Sequence, residues 1–191
     1  MRSLWIPKIL LALAFGNASA VIVGGTDFPE HASVPGVGNN LHLSGAAVLD
    51  RNFVPFYVGA LYVPLSVRTS DQLLSGLSPC RFNLVWMSPA LDKDRVKEYW
   101  RKAFNDAAGP EQARRLTAQL DRLLAVFNGA THGQVVLFDY IPDAGMRIYV
   151  DDRPAGQLPG VEFNRILLSI WLGTTAPRDF RTALLANLDG K

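Results

Sequence analysis

Residues 44–63 read SGAAVLDRNFVPFYVGALYV. The second half carries apolar side chains at both parities of a strand: Phe53, Tyr57, Leu61 and Val63 on one side, Val54, Phe56, Val58, Ala60 and Tyr62 on the other. Successive side chains of a strand point to opposite faces, so this segment has to be buried on both. Two arrangements do that. Helices can cover one face while core covers the other, or one face can line a pocket for an apolar ligand. The pattern leaves both open.

Working outward, a tight connection at Asp50-Arg51-Asn52 joins strands expected at Leu41 to Val48 and Phe53 to Pro64 into an antiparallel hairpin. Upstream, VIVGGTDFPEHASVPGVGNN is rich in Gly and Pro and reads as an extended lead-in. Downstream come a helical turn at Ser70 to Leu77 and a third strand at Arg81 to Met87. From Pro89 the period changes. Val96, Tyr99, Trp100 and Phe104 repeat at helical spacing over Asp92 to Ala107, Gly109-Pro110 interrupts, and Leu116, Leu120, Leu123, Leu124 and Phe127 resume the stripe until Asn128-Gly129. Gln134 to Ile141 and Met146 to Val150 are strands around the turn PDAG, and DDRPAG makes a second turn. Phe163, Ile166, Leu167, Ile170 and Trp171 form a helix stopped by Gly173, and Pro177 starts a last one. This order predicts an α+β domain over residues 21–191: a mostly antiparallel sheet with helices packed on one face.

Arg2 and Lys8, the apolar run ILLALAF and the small residues of NASA make residues 1–20 a signal peptide cleaved near Ala20. The expected location is therefore periplasmic or secreted. Losing Arg2 and Lys8 brings the 19 basic residues to 17, equal to the 17 acidic ones, so the mature chain has no basic excess to hold nucleic acid. No later segment is long enough to span a membrane. Cys80 is the only cysteine, which excludes an internal disulfide and any CxxC site, and it reads as a core residue. His31, His42 and His132 lack the spacing of a metal pair. No metal, no cofactor and no phosphate-binding or nucleophile-elbow motif is expected.

LHLSGAAVL, FYVGALYVP, VLFDYIPDAGMRIYVDD, GQLPGVEFNRILLSIWLG and FRTALLANL, in that order, resemble the exported bacterial branch of the chalcone isomerase-like family over nearly all of residues 35–188. The resemblance implies an open-faced β-sandwich whose sheet and helical layer enclose a cleft for a flat or chain-like apolar ligand. It puts core on one face of the second strand and cleft on the other. Its cyclising members carry an arginine on the first strand where this chain has Leu49; Arg51, two places on, is the substitute, with Arg147 and Arg153 as unranked alternatives. A strand hydroxyl of the enzymes corresponds to Tyr57, whose other reading is a core tyrosine. A helical Tyr–Lys pair corresponds to Tyr99 and Lys102, with Asp106 where the enzymes have an amide; the same spacing also suits an ordinary solvated helix face. A late polar group is replaced by Ile170, with Ser169 beside it.

Removing one donor to a developing oxyanion costs on the order of 2.7–4 kcal/mol in barrier. Two such groups are missing here, while apolar burial needs neither. The first expectation is accordingly a non-catalytic, exported protein that binds a hydrophobic small molecule, fatty-acid-like or aromatic, with Leu49, Arg51, Tyr57, Tyr99, Lys102 and Ile170 at the site. The alternatives are an isomerase or intramolecular lyase using Tyr57, Tyr99 and Lys102, and an envelope accessory protein without a small ligand.

Overall fold

The computed structural model describes residues 20–188. The leader expected over residues 1–20 lies outside the described residues except for Ala20. Strands β1 (Ala20–Val23) and β2 (Thr26–Pro29) form a small separate hairpin. Strands β3 (His31–Val34), β4 (Gly38–Arg51), β5 (Val54–Pro64), β6 (Cys80–Trp86), β7 (Val135–Ile141), β8 (Gly145–Val150) and β9 (Arg153–Leu158) follow one another in a seven-stranded antiparallel sheet. The helices are α1 (Ser70–Leu74), α2 (Lys93–Arg115), α3 (Thr117–Ala125), α4 (Val161–Leu172) and α5 (Arg178–Leu184). They pack on one face of the curled sheet, the α+β arrangement that the sequence predicts. No helix among the described residues is long and apolar enough to cross a membrane.

Both faces of β5 are buried, as its residue pattern requires. Tyr57, Leu61 and Val63 join the large core under the helices, together with Phe82, Leu84 and Trp86 of β6 and Phe138 of β7. Val58, Ala60 and Tyr62 point the other way, into a second core closed by Phe28 and Val34 of the lead-in. The outer face is therefore covered by the chain's own β1–β3 segment. One face of β5 thus packs on the core closed by the lead-in, and the opposite face, on the helix side, borders the cleft at Tyr57 and joins the large core beyond it.

Three local differences from the sequence reading have simple causes. The β4–β5 turn is the pair Asn52-Phe53, since Arg51 pairs with Val54, and a register shift between Leu49 and Asp50 supplies the offset. Phe53 is consequently fully exposed at the tip and does not share the Tyr57 face. RPAGQL forms β9, where only a turn was expected; Pro154 and Gly156 hide the strand pattern, and a proline is tolerated because β9 is an edge strand. The glycine-rich lead-in contains three short strands, with Gly24 and Gly25 at positive φ between the first two.

Helix α4 is apolar around most of its circumference because it runs through the middle of the helical layer, against α2 on one side and α5 on the other. Helix α2 is bent where Gly109 takes φ 73° and ψ 165° ahead of Pro110. On the outer face, Arg81 makes a two-pronged ion pair with the fully buried Asp139 across β6 and β7, with contacts of 2.6 and 2.7 Å.

The end of α5 is bolted to β4. Ser44 Oγ donates to the Leu184 carbonyl at 2.8 Å, and the Asn187 amide N–H donates to the Ser44 carbonyl at 3.0 Å. Gly45 permits this approach, since a Cβ there would stand 1.9 Å from the Ala183 carbonyl oxygen. That neighbour is backbone and cannot rotate away. Gly45→Ala is expected to destabilise the fold by about 2–3 kcal/mol, measured as a lower urea midpoint with an unchanged m-value.

Candidate functional site

Near the β4–β5 hairpin the helical layer does not close on the sheet. An open cleft with a cavity volume of about 200 Å³ remains there, walled by the start of β5, α2, α4 and the approach to α5. Leu49, Arg51, Tyr57, Tyr99, Lys102 and Ile170, singled out from sequence, all line it. Three separate segments of the chain deliver them: the hairpin, α2 and α4.

Tyr57 sits at the back of the cleft, 1% exposed. Its hydroxyl oxygen accepts from Tyr99 Oη–H at 3.0 Å and from Trp171 Nε1–H at 3.2 Å. This trio holds two O–H protons and one N–H, and one O–H bond plus the indole bond use two of the three. Whichever hydroxyl donates, one phenolic proton has no acceptor among the described residues. Two more donors nearby are in the same state: the buried indole N–H groups of Trp86 and Trp100, whose rings lie 6.2 and 5.2 Å from Tyr99. Neither indole lines the cleft, so the donor that the cleft itself has to spare is the phenolic proton of the Tyr57–Tyr99 pair. Buried donors of this kind each cost about 1–3 kcal/mol when left unmet.

The charges sit at the mouth. The Arg51 guanidinium lies over the Phe56 and Tyr99 rings, 5.1 and 5.3 Å from their centroids, and makes no ion pair among the described residues. Lys102 Nζ is bound to Asp106 at 2.7 Å, so the helical pair is internally neutralised at the surface. A second hollow of about 260 Å³ shares Arg51, Tyr99 and Lys102 with the first and continues past Phe56 and Leu91. Those three residues form the partition between the two hollows.

Arg147 donates to the Pro35 carbonyl at 2.9 Å and Arg153 is an exposed residue of β9; neither lines the cleft. Ser169 Oγ donates to the Arg165 carbonyl and faces away, leaving Ile170 as the apolar wall. Sequence reasoning missed Thr175 and Phe180, which close the α5 side, and Trp171, the indole that fixes Tyr57. Trp171 lay on the helical stripe like any core residue, and only a cross-chain contact distinguishes it.

Taken together, the fold is a curled antiparallel sheet with a helical layer that stands open at one end. The chain belongs to the chalcone isomerase-like family, whose model matches residues 20–186. No curated protein matches it. Among solved structures it is similar to the Arabidopsis thaliana fatty-acid binding protein AtFAP1, at 12% identity and a TM-score of 0.74, covering 89% of this chain and 97% of that one.

Burial holds the Tyr57 hydroxyl well above the usual phenol range, and the neighbouring Tyr99 adds to the effect. Burial likewise pushes Tyr99 up to about 12, against opposing pulls from Tyr57 and Arg51. In the unfolded chain both titrate near 10. The neutral phenols therefore contribute stability that is complete below pH ~10 and is lost as pH rises through the folded values. Stability should fall steeply between pH ~10 and ~12, and tyrosinate absorbance from this pair should appear only with unfolding. In the double variant Tyr57→Phe/Tyr99→Phe, denaturant unfolding at stepped pH should show a shallower fall over the same interval.

Proposed function

We propose that the protein is a non-catalytic binder of an apolar small molecule that carries an oxygen-acceptor head, exported to the periplasm or the extracellular space by the leader at residues 1–20. The observation that carries this reading is the convergence of six residues from three segments on one open cleft, with a spare phenolic proton at its back and a guanidinium at its mouth. An apolar wall with a few placed polar groups is the usual make-up of a small-molecule site. The spare phenolic proton and the unpaired Arg51 guanidinium are groups that a carboxylate or carbonyl would satisfy. The description of the solved relative as a fatty-acid binding protein supports a chain-like ligand.

Volume limits how much of that ligand enters. A cavity of about 150 Å³ accepts one benzene ring, so the first hollow, at about 200 Å³, takes one ring or a short run of chain. A longer chain runs into the second hollow, past Arg51 and Tyr99. Leu49 and Ile170 place two apolar side chains where a cyclising catalyst requires polar ones, which favours binding over turnover.

Calorimetric titration of the delipidated protein with saturated fatty acids of increasing length tests this. Affinity is expected to rise by about 0.8 kcal/mol per methylene until the hollows are filled and then to level off. Arg51→Ala should weaken every member of the series by roughly tenfold. Saturable binding of none of them would sink the proposal, as would ring closure of a chalcone that disappears in Tyr57→Phe.

A further inference from the structure

Among the described residues, three two-residue hairpin turns have both residues at positive φ. Gly24-Gly25 joins β1 to β2, Asn52-Phe53 joins β4 to β5, and Asp151-Asp152 joins β8 to β9. This turn type selects Gly, Asn and Asp, which tolerate the left-handed region. Five of the six positions obey. Phe53 does not: it takes φ 62° as a bulky aromatic, and no contact compensates it, because its side chain is fully exposed. A strained bulky residue turned wholly into solvent contributes nothing to the fold of the isolated chain.

Its position gives it a use. Val54, the next residue, is 56% exposed, and Arg51, two residues back, lies at the mouth of the Tyr57 cleft. The apex is thus a narrow apolar wedge with Arg51 and the exposed Asp50 side by side at its base, adjoining the opening through which a ligand enters. A stable protein partner needs about 800 Å² per side with several buried anchors, and two side chains on a tight turn offer far less. A lipid surface needs only an aromatic tip that sinks into the acyl boundary and a basic residue that stays with the headgroups.

We propose that the β4–β5 apex is a membrane-contact tip: Phe53 and Val54 insert into a lipid surface and hold the cleft mouth against it. The proposal rests on the binding reading for the purpose of the contact, although the contact itself is measured without any ligand. Sedimentation with phosphatidylcholine/phosphatidylglycerol vesicles should show the mature protein partitioning to lipid. Phe53→Gly should lower that partition by about tenfold or more while leaving the melting temperature unchanged or raised, because glycine accepts the turn without strain. Phe53→Trp should retain binding and shift its emission to the blue on adding vesicles. Fatty-acid affinity in solution should be the same in Phe53→Gly as in the parent chain, which separates failure of the tip from failure of the cleft. Absence of vesicle binding, undiminished binding in Phe53→Gly, or a dimer that Phe53→Gly dissociates would each overturn the proposal.

Discussion

The Phe82 and Trp171 rings stack 4.0 Å apart and 15° from parallel across the boundary between sheet and helices. That contact exists because Gly59, on the neighbouring strand, has no Cβ: one placed there would come within 2.4 Å of Phe82 Cζ. Phe82 can therefore lie flat over β5, and Trp171 can settle on it with its indole N–H turned to Tyr57. The same indole packs edge-on to Trp100 and beside Phe138. Position is passed along in sequence, from a missing methyl group to a ring, to an indole and then to a phenol. The cleft inherits its shape from that relay.

The relay also explains why the interior is solid in the middle and hollow at one end. Trp86, Trp100 and Trp171 are among the largest fully buried side chains, and together with Phe82 and Phe138 they fill the space between sheet and helices. Toward the β4–β5 end the filling stops at Tyr57, which is held by two hydrogen bonds and cannot lean forward to close the gap. Arg51 spans the gap only in part, lying over two aromatic faces. Its weakly hydrated, planar cation suits such a place better than an ammonium would. Leu49, Ile170 and Phe180 line the opening without filling it, and one phenolic proton of the Tyr57–Tyr99 pair remains unspent.

Much of this was legible in the sequence. The helical stripes of Val96, Trp100 and Phe104 and of Leu120, Leu123 and Leu124 correspond to buried faces, and the doubly apolar β5 is buried on both sides. The six site positions came from motif order, and they meet in space because the hairpin, α2 and α4 converge at one end of the sheet. What was not legible lies where a residue's role is set by a partner distant in sequence. Trp171 and Tyr57 are 114 positions apart, and nothing local marks either as the other's neighbour. β9 was hidden because an edge strand can carry Pro154, which propensity counts against a strand. The cover on the outer face was hidden because a lead-in rich in Gly and Pro reads as loop until its cross-strand partners are known.

The bolt between β4 and the end of α5 joins residues 140 and 144 positions apart. The cleft likewise takes Leu49 from an early strand and Phe180 from the last helix. The strands of the sheet are hydrogen-bonded in the order in which they occur along the chain, with α2 and α3 bridging the step from β6 to β7, so the sheet can assemble progressively as the chain is made. The cleft cannot. A chain emerging from the ribosome can build most of its sheet early, yet it gains its cavity only when α4 and α5 have been made and have packed back onto the β4–β5 hairpin, so a product that stops before α4 would be a scaffold without a receptacle.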